Sequence, residues 1–175
     1  MESHHAVVGL CGSTAVTLTG VGADLGVLDR RKITTRDSQP YHEAAEMPLA
    51  KAEKVIAAAF DRAVKNATKD LRDLIDEVAA GGVTVTAAAI SYKTYRMPDS
   101  IEVRLRSHAM QHGGEGEMTR DALMAACEGL GLNVHAEAQG DVPARITAVG
   151  KLIGAPWQKD HKLAAVAALA ALADR

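Results

Sequence analysis

Apolar and polar positions change period several times along this chain, and the changes divide it into elements. The run AVVGL at 6 to 10 is continuously apolar and ends in Cys11-Gly12-Ser13, which predicts a buried strand closed by a turn. AVTLTGV at 15 to 21 alternates Val16 and Leu18 with Thr17 and Thr19, the period of a second strand hairpinned to the first. GVLDRRKITT at 26 to 35 keeps Val27, Leu28 and Ile33 around the charged centre Asp29-Arg30-Arg31-Lys32, as an edge strand does to discourage further pairing. Residues 36 to 47, RDSQPYHEAAEM, read as a loop with Tyr41 and His42 near its middle.

From Pro48 the period lengthens to three and four. Leu49, Ala52, Ile56, Phe60, Ala63, Ala67, Leu71, Leu74 and Val78 mark one long amphipathic helix, with Pro48 in its first turn and Gly81-Gly82 beyond its end. About 30 residues at ~1.5 Å each give a helix of about 45 Å, more than one small sheet can cover. The excess either pairs with a second copy of itself, which makes the protein a homodimer through this helix, or is divided by a kink or interruption.

VTVTAAAISY at 83 to 92 is β-branched and then almost wholly apolar, as in a central strand covered on both faces. After the loop TYRMPDS, the run IEVRLRSHAMQH fits a strand by Ile101, Val103 and Leu105 and a helix by Ile101, Leu105 and Ala109. Asp99 or Ser100 in capping position favours the helix, continuing through His112. Gly113-Gly114 then predicts a break before a second helix, Glu115 to Glu128, stopped by Gly129. NVHAEA at 133 to 138 is the fifth strand. Asp141-Val142-Pro143 opens a helix to about Ile153, Pro156 closes it, and KDHKLAAVAALAALADR is a final alanine-rich helix. Three strands in a meander, followed by helices alternating with strands, imply an α/β fold with a five-stranded mixed sheet covered on both faces.

Composition narrows the functional classes. At 175 residues the chain is expected to form a single domain over 1 to 175. Residues of the hydrophobic class make up 47% and aromatics only 3%, so alanine, leucine, valine and isoleucine must build a core of closely approaching elements. The formal charge of -2 gives no global attraction to a polyanion, which leaves nucleic acid to a local patch. The basic residues Arg30, Arg31, Lys32, Arg36, Arg104 and Arg106 supply such a patch or a solvated edge face. No apolar run reaches the ~18 residues of a membrane span, and Cys11 and Cys127 lack CxxC spacing; a soluble protein of the reducing cytoplasm is expected. His4 and His5 read as a polar lead-in.

Candidate chemistry lies first in SHAMQHGGEGE. On a continuous helix His108, His112 and Glu115 fall at i, i+4 and i+7 on one face, where two imidazoles and a carboxylate can meet a divalent metal such as zinc. They also read as hydrogen-bonded packing histidines with Glu115 capping the second helix. Asp160 and His161, opening the last helix, offer a carboxylate for a metal or phosphate site and a proton carrier for catalysis, or Asp160 is an N-cap or first-turn acid favoured by the helix dipole. Cys11 before Gly12-Ser13 is a nucleophile if turn amides lower its pKa, and inert if buried.

The order of elements resembles the ribonuclease H-like fold and, within it, the RuvC-type Holliday junction resolvases. VVGLCGS is similar to that family's first strand, which leads into a catalytic aspartate. AAAISY is similar to the strand that ends in a catalytic glutamate, and QKDHKLAAVAALAAL to the last helix with its further acidic ligands. The resemblance implies a site for two divalent ions held by those acids. Carried over, the first position is Cys11 and the second Ser91; Asp160 keeps a carboxylate, but Leu163 stands three residues on. A thiol and a hydroxyl do not hold hard magnesium ions as carboxylates do. The resemblance therefore implies a catalytically altered or inactive relative, serving as a binding or scaffold module. The alternative is a metal-dependent hydrolase of phosphate esters or nucleic acid that uses Asp160 with His108, His112 or Glu115. Whether the chain is an enzyme stays open at this point.

Overall fold

Side chains that alternate along the first strand go to opposite layers, and the fold is built around that division. The computed structural model describes residues 4–20 and 25–174. Strands β1 (His4–Cys11), β2 (Thr14–Thr19) and β3 (Gly26–Lys32) form the expected antiparallel meander. Strand β4 (Val83–Tyr92) lies parallel to β1, and β5 (Asn133–Ala138) parallel to β4. The sheet order β3-β2-β1-β4-β5 is the mixed five-stranded arrangement of the ribonuclease H-like class. Val21, the last residue expected in the second strand, lies outside the described residues.

The described residues form the helices α1 (Pro40–Ala44), α2 (Leu49–Ala80), α3 (Ile101–Arg104), α4 (His108–Gly129), α5 (Ala144–Ile153) and α6 (Lys159–Ala173). Val7, Cys11, Val16, Leu18, Ala87 and Ala89 meet α6 and Ile146 of α5. Ala6, Val8, Leu10, Ala15, Ala88 and Ile90 meet Ala67, Leu71 and Leu74 of α2 and Leu123, Ala126 and Cys127 of α4. The register of β1 on β4 shifts between Ala6 and Val7, which lets Val85 share the α2 face with Ala88 and Ile90 despite their odd separation.

The scarcity of aromatics has the structural counterpart expected of it. A Cβ on Gly9 would stand 1.9 Å from the carbonyl oxygen of Ala164, so α6 lies with its backbone directly on β1. Only glycine on the strand and alanine on the helix permit this approach.

Helix α2 is unbroken over 32 residues, which removes the interrupted-helix alternative. Ala67, Leu71 and Leu74 face the sheet, while Ala52, Ile56 and Ala59 are buried against Tyr41 and Ala44 of α1 and Met118 of α4. Much of the apolar stripe is thus covered within one chain, with Leu49 left 41% exposed at its start.

Three expectations change in detail. Residues 36–47 contain α1 rather than a loop throughout, and β3 ends at Lys32, before the buried Ile33. The helix expected over 101–112 divides earlier: α3 stops at Arg104, Ser107 caps α4 by accepting from the Met110 amide at 3.2 Å, and α4 runs through Gly113-Gly114 without a break. Those glycines serve close approach instead. A Cβ on Gly113 would meet Met97 Sδ at 2.6 Å, and one on Gly114 the Tyr41 ring at 2.8 Å. Glu115 therefore sits inside a helix and caps none.

Helix α5 buries only Ile146 and leaves Leu152 88% exposed. Its C-terminal end is held by Arg30 of β3, whose guanidinium donates to the carbonyls of Ile153, Gly154 and Pro156 at 3.3, 2.9 and 2.7 Å. The Trp157 indole N–H donates to the Ile146 carbonyl at 2.8 Å. No helix among the described residues is long and apolar enough to cross a membrane.

Candidate functional site

Parallel pairing of β1 with β4 places Cys11 directly opposite Ser91 at the C-terminal ends of both strands. Helix α6 brings Asp160 to the same place: its Oδ1 lies 3.7 Å from Cys11 Sγ, within reach of a thiol hydrogen bond. Gln139, following β5, is fixed by its amide donating to the Tyr92 carbonyl at 2.8 Å, and its Nε2 stands 3.5 Å from the same sulfur. Cys11, Ser91 and Asp160 thus converge as the resemblance implied, and the group is one thiol, one hydroxyl and one carboxylate.

That thiol is not a nucleophile of the kind first considered. Burial, and then the adjacent Asp160 charge, push its pKa up to about 12, so it stays protonated and uncharged at neutral pH. Helix-terminal or turn amides do not offset this. A cleft of about 260 Å³ opens beside it, with Gly12, Ser13, Ser91, Lys93, Arg120 and Gln139 in its wall. Arg120 lies over the Tyr92 ring at 5.3 Å.

Asp160 and His161 are neighbours with different partners. Asp160 turns to Cys11, whereas His161 is buried and its Nδ1 accepts from the Gln158 amide at 3.2 Å in a capping box. Burial, followed by the charges of Lys32 and Arg30, holds the His161 pKa below its ordinary value and favours the neutral ring. Of the basic residues considered for phosphate contact, Arg106 stays exposed, 3.6 Å from Glu102, and the others are engaged: Arg30 on α5, Arg31 on Asp29 and Glu77, Lys32 on Thr14, and Arg36 on Thr119 and the Ser38 carbonyl. Arg104 bonds the Pro98 carbonyl, Tyr41 and Glu117. They read as braces within the fold.

The second cluster lies at the start of α4. His108 and His112, one turn apart, stand on its exposed side, and Glu115 is turned inward with 2% of its surface accessible. The residue that joins them is His42 of α1. Its Nδ1 lies 2.8 Å from Glu115 Oε1, and its backbone amide donates to the same oxygen at 3.3 Å. Its Nε2 lies 3.2 Å from His108 Nδ1, and His108 Nε2 lies 2.9 Å from His112 Nε2. Each pair of the three rings meets edge-on, with centroids 4.4 to 4.8 Å apart. Glu115 Oε2 is 4.0 Å from His112 Nδ1. The i, i+4, i+7 spacing thus brought His108, His112 and Glu115 together as expected, while His42, 66 residues away from His108, was missed. The one available signal was its place after Pro40, a residue suited to a helix start.

No family model matches the chain, and no curated protein matches it in sequence. Among solved structures, RuvC of T. thermophilus in complex with a Holliday junction substrate is similar with a TM-score of 0.48 and 13% sequence identity, over 95% of this chain and 91% of that one. So low an identity carries no residue role across. The sheet order and strand directions, read from this chain itself, identify the fold class.

Proposed function

We propose that this chain is a ribonuclease H-like domain that has given up two-metal phosphodiester hydrolysis and works as a binding module. One observation carries the reading: at the ends of β1 and β4 the paired residues are Cys11 and Ser91, leaving Asp160 as the carboxylate beside them. Two hard divalent ions need several oxygen ligands, and a protonated, buried thiol offers none. The cleft over these strand ends is the place of binding. Lys93 beside Tyr92, with Arg120, which also pairs with Asp121 at 2.9 Å, suits an anionic, base-bearing strand, so nucleic acid is the first ligand class to try. Nothing in this reading needs a second copy of the chain.

The test is cleavage of branched and single-stranded DNA with magnesium or manganese, by the wild-type protein and by Asp160→Asn. No cleavage is expected from either. Metal-dependent cleavage that disappears in Asp160→Asn would overturn the reading. A second reading, metal-dependent hydrolysis of phosphate esters, is favoured by a separate observation, the three imidazoles gathered around His108. It would place the chemistry away from the strand ends, on the corner formed by α1 and α4.

A further inference from the structure

We infer that His42, His108 and His112 form a binding site for one divalent transition metal of the zinc class, with Glu115 orienting His42 from behind. This goes beyond the binding-module reading and stands or falls separately from it.

The ligand set comes from geometry. One ring nitrogen from each histidine can be chosen so that all lie within 4.8 Å of one another. Neighbouring nitrogens around a tetrahedral zinc ion, at Zn–N of about 2.0–2.1 Å, stand roughly 3.3 Å apart. The contacts of 3.2 and 2.9 Å have that scale but engage different nitrogens of His108, so one of them is kept whichever nitrogen of that ring takes the metal. The remaining separation closes by rotation of the His108 and His112 rings, both at exposed positions.

Glu115 supplies what an isolated histidine cluster lacks. An ionised carboxylate accepts and cannot donate, so His42 must carry its proton on Nδ1, and the lone pair of Nε2 is left aimed at His108. This carboxylate–histidine pairing fixes ring orientation and tautomer at metal centres. The buried negative charge also favours a cation at the far side of the ring. Gly114 makes the arrangement possible: with any larger residue there, Tyr41 could not lie against α4 and carry His42 to its first turn.

Imidazole donors select zinc, cobalt, nickel or copper over magnesium and calcium, which take oxygen. Because His108 and His112 face solvent, three protein ligands leave a fourth position open to water or a small anion. The metal would tie the five-residue α1 to α4 and present that open position at the surface.

The test is zinc titration of chelator-treated full-length protein against a chromophoric competitor, with cobalt as the spectroscopic probe. One equivalent bound at submicromolar Kd is expected, with the intense visible bands of tetrahedral cobalt. His112→Ala, at an exposed position that leaves the core intact, should weaken zinc at least 100-fold. Glu115→Gln should weaken it about 10- to 100-fold. His4→Ala with His5→Ala should change nothing, which separates this site from chance chelation near the N-terminus. A wild-type Kd no tighter than tens of micromolar, or a His112→Ala protein that binds as well as wild type, overturns the proposal.

Discussion

The strand ends and the α1–α4 corner are both places where polar side chains converge, and they differ in almost every physical respect. At the strand ends sheet register sets the buried Cys11 against the buried Ser91, α6 adds the exposed Asp160, and the thiol is chemically quiet: Cys11 is 2% exposed and protonated. At the corner the groups come from two helices, and two of the three rings are open to solvent. The sheet holds positions firmly whatever occupies them, so a fold can keep its geometry after its chemistry is exchanged. A corner made by a short helix depends instead on a few permissive contacts, here Gly114 under Tyr41 and Glu115 under His42.

If the two regions are independent, each can be damaged without the other. The largest effect is expected from Gly9→Val, which drives a side chain into the backbone of α6 and should cost about 3 kcal/mol. For a chain of this size that lowers Tm by roughly 6–12 °C in calorimetry. Zinc affinity measured below the lowered transition should stay unchanged; a parallel loss would merge the regions into one cooperative site. Gly114→Ala comes next, at about 1–2 kcal/mol, because the Tyr41 ring it meets is itself buried. Here the sign of the comparison reverses, and zinc binding should weaken by about tenfold while the thiols stay unreactive.

The last effect is nil at neutral pH and appears only in alkali. Burial pushes the Cys11 and Cys127 thiols from their ordinary range up to about 12 in the folded protein. Above pH 9 the unfolded chain therefore loses thiol protons that the folded chain keeps. The stabilising contribution of these thiols is full below pH 9 and is lost as pH rises from 9 toward 12. Urea unfolding across that range should show the decline, reduced in Cys11→Ala. A flat profile would mean that Cys11 is more accessible than its place between β1 and α6 allows.

Most of the sheet was legible because its signals are local and repeated. The apolar run at 6 to 10, the alternation at 15 to 19 and the β-branched opening of 83 to 92 each report their burial directly, and the helical stripe from Ala52 to Leu74 does so over many turns. The helix boundary near Ser107 was misread because glycine usually signals a break. Gly113 and Gly114 answer to Met97 and Tyr41, which no local pattern reveals. At the candidate site, His108, His112 and Glu115 could be grouped by helical spacing, but His42 could not. A five-residue helix is too short to show a period, and its partner lies 66 residues on.

Arg30 gives α5 an unusual standing in the molecule. A helix that buries one side chain and is held at its end by one guanidinium and one indole can swing away while every strand keeps its neighbours. Its amides would then exchange with solvent through a private, low-energy opening rather than through loss of the whole fold. The segment from Ala144 to Pro156 is fastened to the outer strand of the meander by a residue whose sequence position suggested a charged edge or a phosphate patch.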